Sequence, residues 1–133
     1  MRFTPIDHPS DVGIDVSGRS REEVFENAAF GMFSLMADLE KVEDRETFEI
    51  NVKGDDPENL MINWLNELLY YSDAKSMSFK DFKVRKLEPG SLEATVAGEA
   101  IDPRRHSLFS GIKAATYNQL RVGKNHARII FDV

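Results

Sequence analysis

Residues 56–69 read DPENLMINWLNELL, and this stretch says more about the fold than any other part of the chain. Asp56 is a typical N-cap residue, and Pro57 suits the first helical position because its missing N–H would have no intrahelical partner there. Large apolar side chains then recur at three- and four-residue steps, which predicts a long helix with a broad apolar stripe that packs in the core. The stripe consists of Met61, Trp64, Leu65, Leu68 and Leu69.

A second amphipathic helix is predicted nearer the N-terminus. It begins at Ser20, where residues 20–23 read SREE, a capping box in which serine and glutamate satisfy each other's backbone N–H groups. Apolar residues at helical spacing continue to about Met36. We expect the methionine and phenylalanine side chains of this helix, like Trp64, to be core residues rather than cofactor contacts.

The remaining segments show a hydrophobic period of two, which is typical of half-buried strands. The clearest cases are FEINV at residues 48–52 and LEATV at residues 92–96. Pro89-Gly90 is predicted as the turn of an antiparallel hairpin that leads into the strand from Ser91. A candidate short helix spans Ser107 to Ala115. The other predicted strands are 2–7, 12–17, 80–87, 120–122 and 126–132.

The predicted order of elements is β-β-α-β-α-β-β-α-β-β, and most neighbouring strands are joined by short turns. This order favours an α+β fold, in which two long helices and one short helix are layered on a mainly antiparallel or mixed sheet. The 133 residues contain no repeat and no low-complexity linker. We therefore expect a single domain over residues 1–133.

Composition excludes several classes of function. The chain has no cysteine, which rules out disulfides, thiolate nucleophiles and Cys-ligated metal centres. Its formal net charge of −6 would repel a phosphate backbone, so direct nucleic-acid binding is not expected. The strongly acidic stretch from Asp38 to Glu58 is suited instead to docking a basic partner. With no signal-peptide pattern and no run of about 18 apolar residues, we expect a cytoplasmic protein without membrane contacts.

Common catalytic motifs are missing as well. The sequence contains no Walker pattern, no G-x-G-x-x-G and no G-x-S-x-G turn, so nucleotide binding by this chain alone and serine hydrolysis have no support. The histidines His8, His106 and His126 share no metal-ligand spacing. We expect each of them to be a turn or surface residue.

Two acidic positions at opposite ends of the chain are the best candidates for chemistry. Residues 7–15, DHPSDVGID, hold three carboxylates and a histidine where a strand begins, and Asp11 sits where the chain turns into that strand. At the other end, Asp132 follows an apolar strand and precedes Val133. Oxygen ligands of this kind suit Ca²⁺, Mg²⁺ or Mn²⁺. From these residues alone, a structural role in turns or at the surface is the stronger interpretation for each carboxylate, and the functional one stays open.

Five blocks of sequence, taken in order, resemble the archease family along the whole chain. Besides D-H-x-x-D-V-G-I at residues 7–14, they are FENAA at 25–29 with Met32-Phe33, WLNELLY at 64–70, IKAATY at 112–117 and FDV at 131–133. The resemblance implies an archease-like α/β sandwich. It also implies a divalent-metal site formed by Asp11, Asp132 and Val133, with calcium as the first expectation and magnesium, manganese or zinc as alternatives.

The resemblance implies that the chain is not itself an enzyme. Archeases are accessory proteins of the GTP-dependent RNA ligase of tRNA splicing and RNA repair, and they promote its guanylylation and multiple turnover. They have also been linked to chaperoning of a tRNA methyltransferase. The competing interpretation is a small metal-dependent hydrolase that would use the same acidic residues to hold a metal ion and activate water.

Four residues in the matching blocks are candidates to contact the partner or its active site: Lys113, Asp7, His8 and Tyr117. Lys113 and Tyr117 are four residues apart, so they would share one side of either a helix or a strand.

The chain departs from the usual archease pattern at two places. Pro9-Ser10 stands where archeases usually have Thr-Ala, which stiffens the approach to Asp11 but leaves its carboxylate in place. Asn118 stands where archeases usually have histidine. An asparagine cannot titrate near neutral pH, so this position cannot serve as a general base here.

Overall fold

The computed structural model describes residues 2–7 and 12–133, and it confirms the α+β class. Strands and two long helices make up most of the described residues. A short 3-10 helix, Leu39–Lys41, follows the first long helix. In chain order the elements are β1 (Phe3–Asp7), β2 (Val12–Ser17), α1 (Arg21–Met36), β3 (Glu46–Lys53), α2 (Pro57–Lys75), β4 (Met77–Glu88), β5 (Ser91–Ala100), β6 (Ala114–Val122) and β7 (His126–Asp132).

Both long helices begin at the predicted caps. The Ser20 hydroxyl oxygen accepts a hydrogen bond from the Glu23 N–H at 3.2 Å, and the Asp56 carboxylate accepts one from the Asn59 N–H at 2.7 Å. Each cap thus satisfies a backbone donor that a helix start leaves without an internal partner. At the other end of α2, Ser76 adopts a left-handed conformation with a φ of 53°, which ends the helix. No helix within residues 2–7 and 12–133 is long and apolar enough to cross a membrane.

The strands form two antiparallel sheets. The first sheet has the order β1-β2-β7-β6, and the second sheet has the order β3-β5-β4. β4 and β5 are joined at Pro89-Gly90, as predicted, with Glu88 paired to Ser91. In the first sheet, β2 near the start of the sequence pairs with β7 near its end. This pairing brings distant parts of the chain together.

The two helices connect the sheets through a shared core. α1 packs against β2 of the first sheet and β4 of the second, and α2 packs against β6 and β3. Trp64 is fully buried, and its indole N–H donates to the Phe25 carbonyl oxygen at 2.9 Å, which ties α2 to α1. The predicted apolar stripe of α2 is buried throughout, which confirms its assignment to the core.

The predicted short helix over Ser107 to Ala115 is wrong. Residues 107–113 are irregular, and β6 begins at Ala114. The Phe109 N–H donates to the Met36 carbonyl oxygen at 2.8 Å, and the Ser107 carbonyl oxygen accepts from the Asp38 N–H at 2.9 Å. In a helix, the Ser107 carbonyl oxygen would accept from the N–H of residue 111, but here it accepts from Asp38 just after α1, so tertiary contacts override the local pattern.

Candidate functional site

The four strands of the first sheet each begin or terminate at the same end of that sheet. β1 ends at Asp7, which pairs with Val12 at the start of β2. Val12 also pairs with Phe131 of β7. The next residue of β7, Asp132, pairs with Ala114 at the start of β6. Four strand termini therefore lie side by side, and we call this end of the sheet the strand-end site.

Lys113 and Asp132 are joined through the main chain at this site. The Lys113 N–H donates to the Asp132 carbonyl oxygen at 2.8 Å, which ties the residue just before β6 to the last residue of β7. The side chains of Lys113, Asp132 and Val133 are all exposed. An ammonium group and a carboxylate are thus displayed from adjoining backbone positions at the surface.

The pleat of β7 determines where the Asp132 carboxylate points. Phe131 is fully buried in the core that the helices cover. Because successive side chains of a strand project to opposite faces, Asp132 projects to the face that also bears Arg128 and Ile130. That face is the one turned away from α1 and α2.

Tyr117 lies farther along β6. A bulge follows Thr116, so that residues 117–120 of β6 stand opposite Ile129 of β7 before the pairing resumes. The Tyr117 hydroxyl oxygen accepts a hydrogen bond from the Asn59 side-chain amide at 2.7 Å, which ties it to the start of α2. At about 3.3 Å per residue, Tyr117 is roughly 10 Å from Ala114 along the strand. The structure therefore brings Lys113, Asp132 and Val133 together but not Tyr117. The exposed Asn118 lies in the same bulge.

The other predicted site residues are at the N-terminal side of β2. Asp11 and His8, together with Pro9 and Ser10, lie outside the described residues. Asp7 is the last residue of β1.

The chemistry of the donor atoms fits a hard divalent cation. Asp132 and Val133 offer oxygen atoms, and Ca²⁺ and Mg²⁺ take six or more oxygen ligands, with water filling part of the set. Among residues 2–7 and 12–133, no three His, Asp or Glu side chains are grouped closely enough to hold a metal ion. A complete ligand set at the strand-end site therefore needs further oxygen atoms from residues 8–11, from water or from a partner.

A buried ionic network lies apart from the strand-end site, at the end of β5. The Glu99 carboxylate accepts hydrogen bonds from the Glu43 N–H at 2.7 Å and from the Arg105 guanidinium at 2.6 Å. His106 Nε2 is 3.1 Å from the same carboxylate, while His106 Nδ1 accepts from the Asp102 N–H at 2.9 Å. Since Nδ1 is an acceptor, we assign the proton to Nε2, and His106 is then a neutral donor to Glu99.

The network corrects the expectation for His106. This histidine does lie in a turn, but its side chain is 0% exposed rather than at the surface. Burial by itself raises the pKa of Glu99, yet the Glu43 N–H, His106 and Arg105 outweigh burial and lower that pKa from 4.5 to about 2. No local sequence pattern indicates this network, because Glu43 and Glu99 are far apart in the chain. By contrast, His126 is exposed, as predicted, with Nε2 at 3.4 Å from the Asp15 carboxylate.

Together these features define a small α+β protein with two antiparallel sheets, two connecting helices and a candidate site at converging strand ends. Residues 3–133 match the model of the archease protein family. The chain therefore belongs to the archease family, and the resemblance indicated by the five sequence blocks is confirmed.

Individual relatives agree with this assignment. The archease of Sulfurisphaera tokodaii is 38% identical over 123 residues, which cover 92% of this chain and 88% of the relative. The archease of Pyrococcus abyssi is 38% identical over 126 residues, which cover 92% and 89%. The solution structure of protein 1598 of Methanobacterium thermoautotrophicum is 33% identical, with a TM-score of 0.79 and 99% of both chains covered. The crystal structure of an archease from Thermotoga maritima, described as a possible chaperone, shares the fold with a TM-score of 0.64 at 21% identity, and 98% and 96% of the chains are covered.

Proposed function

We propose that this chain is an accessory protein that binds a divalent metal ion and activates a GTP-dependent RNA ligase. It promotes guanylylation and multiple turnover of the ligase in tRNA splicing or RNA repair, and the ligase performs the covalent chemistry. Residues 1–133 act as one archease-like domain. Asp11, Asp132 and Val133 hold the ion, for which calcium is the first candidate, and Lys113 contacts the active site of the partner.

The proposal depends mainly on one observation, which is that the ends of four strands lie side by side at the strand-end site. Val12, which follows Asp11 in sequence, pairs with Phe131, which precedes Asp132. Lys113 is bonded through its N–H to the Asp132 carbonyl oxygen. Exposed carboxylate oxygens suit a divalent ion, and a lysine ammonium group suits a phosphate as a point charge. Such a surface can be presented to a nucleotide phosphate and its metal ion in another protein.

The charge of the chain supports a basic partner. The formal net charge is −6. A protein that holds RNA carries lysine and arginine on its surface to neutralise phosphates. Attraction between the two surfaces would speed their encounter and favour a defined orientation. The same negative charge disfavours direct binding of RNA by this chain.

Chaperoning of a tRNA methyltransferase is the second candidate function. It is favoured by apolar side chains that are exposed in the described part of the chain, since exposed apolar surface marks interaction sites. These side chains are Tyr70, Leu108, Phe109, Tyr117 and Val133. A small metal-dependent hydrolase has less support, because the asparagine at position 118 cannot act as a general base.

Guanylylation of the purified cognate RNA ligase is the test. The ligase is incubated with GTP and a divalent metal ion, with and without this protein, and covalently bound GMP is measured over time. Ligated RNA per ligase molecule is measured in parallel. We expect faster guanylylation and more than one turnover in the presence of the protein.

Three results would distinguish the candidate functions from one another. Unchanged guanylylation and turnover would refute the ligase proposal. Protection of a heated methyltransferase from aggregation, in the absence of any effect on the ligase, would favour the chaperone. Cleavage of a generic phosphodiester by this protein alone, lost in Asp132→Ala, would favour the hydrolase.

A further inference from the structure

Phe109 is unusual among the phenylalanine residues of the chain. All nine phenylalanines lie in the described ranges, and Phe109 is the only one that is largely exposed, at 61%. Its neighbour Leu108 is 48% exposed. Single exposed apolar residues are ordinary, but two adjacent large ones, of which Phe109 lines a groove, indicate a surface that contacts another molecule.

The backbone around these two residues is firmly held. The Phe109 N–H donates to the Met36 carbonyl oxygen at 2.8 Å, and Leu108 forms an isolated antiparallel bridge with Ala37. The Lys41 ammonium group donates to the Ser107 hydroxyl oxygen at 2.8 Å. The two apolar side chains are therefore displayed from an anchored backbone, which lowers the entropy lost when they bind a partner.

The segment 107–113, which contains Leu108 and Phe109, is also held at both of its ends. Before residue 107, the buried His106 side chain contacts the Glu99 carboxylate through Nε2 at 3.1 Å. After it, the Lys113 N–H is bonded to the Asp132 carbonyl oxygen. The anchored segment thus leads directly into the strand-end site.

A groove of about 330 Å³ opens beside Phe109. Its walls include the apolar side chains of Phe30, Ala37 and Leu39. Its rim carries Asp38, Glu40 and Lys80. Residues 38–49, which continue from this rim, contain six carboxylates against two basic side chains. Five of those carboxylates, those of Glu40, Glu43, Asp44, Glu46 and Glu49, belong to exposed residues.

We infer that Leu108, Phe109 and this groove form a docking surface for a basic protein partner. We call it the Phe109 surface. The partner's contact region carries large apolar side chains flanked by lysine or arginine, because the Phe109 surface is apolar at its centre and acidic at its rim. The inference rests on the proposed function, in which that partner is the RNA ligase. Docking here would hold Lys113, four residues after Phe109, against the partner.

Charge disfavours two other candidate partners for the Phe109 surface, a second copy of this chain and RNA. A second copy of this chain would bring two acidic rims together, and RNA would meet carboxylates instead of cations. A basic protein is the partner class that meets both the apolar centre and the charged rim.

The test is a titration of this protein into the guanylylation reaction of the ligase, with wild type, Phe109→Ser, Leu108→Ser and Tyr70→Ser compared. Tyr70 is 66% exposed on α2 and serves as the matched control. We expect Phe109→Ser and Leu108→Ser to raise the half-maximal concentration at least tenfold, with the maximal rate unchanged. Tyr70→Ser should match wild type. Urea denaturation of each variant verifies that the fold is retained.

The outcomes distinguish this inference from the proposed function. Stimulation by wild type with the same half-maximal concentration for all variants overturns the Phe109 surface and leaves the proposed function standing. Absence of stimulation by wild type overturns both. Sedimentation of the isolated proteins tests for self-association. If wild type is a dimer, Phe109→Ser is a monomer and the half-maximal concentration is the same for both, the surface binds a second copy of this chain. That result overturns the inference.

Discussion

The main-chain N–H of Lys113 donates a hydrogen bond to the carbonyl oxygen of Asp132 at 2.8 Å. The bond joins the irregular segment 107–113 to the end of β7, so the same backbone positions the ammonium group and the carboxylate of the strand-end site. Substitutions that keep or remove this N–H should separate the role of the Lys113 side chain from the role of its backbone.

Lys113→Ala removes the ammonium group and keeps the N–H, whereas Lys113→Pro removes both. We expect Lys113→Ala to keep wild-type stability and metal affinity but to lose at least tenfold in the stimulation of guanylylation. Lys113→Pro should also lose about 1 kcal/mol of stability, the typical contribution of one hydrogen bond, and bind metal more weakly. Calorimetric titration with Ca²⁺ and guanylylation rates provide the measurements. Full stimulation by Lys113→Ala would exclude this side chain from the partner contact.

Gly13 is required where β2 passes β7. A Cβ atom at Gly13 would lie 2.6 Å from the Ile130 Cδ1 atom and 2.9 Å from the Ile129 carbonyl oxygen, and the latter can move only with the backbone of β7. We expect Gly13→Ala to reduce the free energy of unfolding by about 1–3 kcal/mol through overpacking. Gly111→Ala, whose Cβ would meet nothing within 4 Å among the described atoms, is the control and should stay near wild type. Urea denaturation measures both, and equal stabilities would contradict the close approach of the two strands.

Glu99 should give the fold a defined dependence on acid. A carboxyl group whose pKa is lower in the folded protein stabilises it above the unfolded pKa, and this stabilisation disappears as the pH falls toward the folded pKa. For Glu99 the window runs from about 4.5 down to about 2. Glu99→Gln should lower stability at pH 7 by about 2 kcal/mol and should flatten the loss within this window, since hydrogen bonds to a charged group are replaced by weaker ones. Denaturant unfolding at several pH values measures this dependence, and Glu93→Gln, a part-exposed residue on the same strand, serves as the control. If Glu99→Gln loses stability between pH 4.5 and pH 2 as steeply as wild type does, the prediction is contradicted.

The effect of Asp81 on the pH dependence of stability should be opposite to that of Glu99. A hydrogen bond with the Asp44 carboxyl group, together with partial burial and repulsion by Asp44, raises the pKa of Asp81 from 3.8 to about 6. A raised carboxyl pKa stabilises the folded protein at low pH, and this contribution is lost as the pH rises through the folded pKa. We therefore expect Asp81→Asn to be more stable than wild type at pH 7.5, with a smaller difference at pH 4. Denaturant unfolding at the two pH values provides the measurement. If the stability difference between Asp81→Asn and wild type grows as the pH falls, the pKa of Asp81 is not raised in the folded protein.

Elements defined by local interactions could be predicted from the sequence. The Asp56 cap and Pro57 marked the start of α2, and the capping box at Ser20 marked the start of α1. Pro89-Gly90 marked the hairpin between β4 and β5. In each case the residues that determine the structure are within a few positions of one another, so periodicity and turn chemistry are sufficient.

Elements defined by distant contacts could not be predicted in this way. The predicted helix over 107–115 was wrong because its backbone groups bond to Met36 and Asp38. The burial of His106 depends on Glu99 and on the Glu43 N–H, which a linear pattern does not bring together. The strand-end site was predicted only through the family resemblance, because composition alone favoured a structural role for each carboxylate. The register of β2 against β7 then supplies the physical reason why the two ends of the chain meet.

The assignment of the strand-end site as a metal site can be tested by measuring how carboxylate variants stimulate guanylylation of the ligase. Asp11→Ala and Asp132→Ala each remove one proposed metal ligand, while Glu88→Ala removes a carboxylate that is 55% exposed at the end of β4 on the second sheet. We predict that Glu88→Ala stimulates the ligase as well as wild type does. Asp11→Ala and Asp132→Ala should fail to stimulate it while unfolding at the same urea concentration as wild type. Full stimulation by Asp11→Ala and Asp132→Ala would contradict the assignment of the strand-end site.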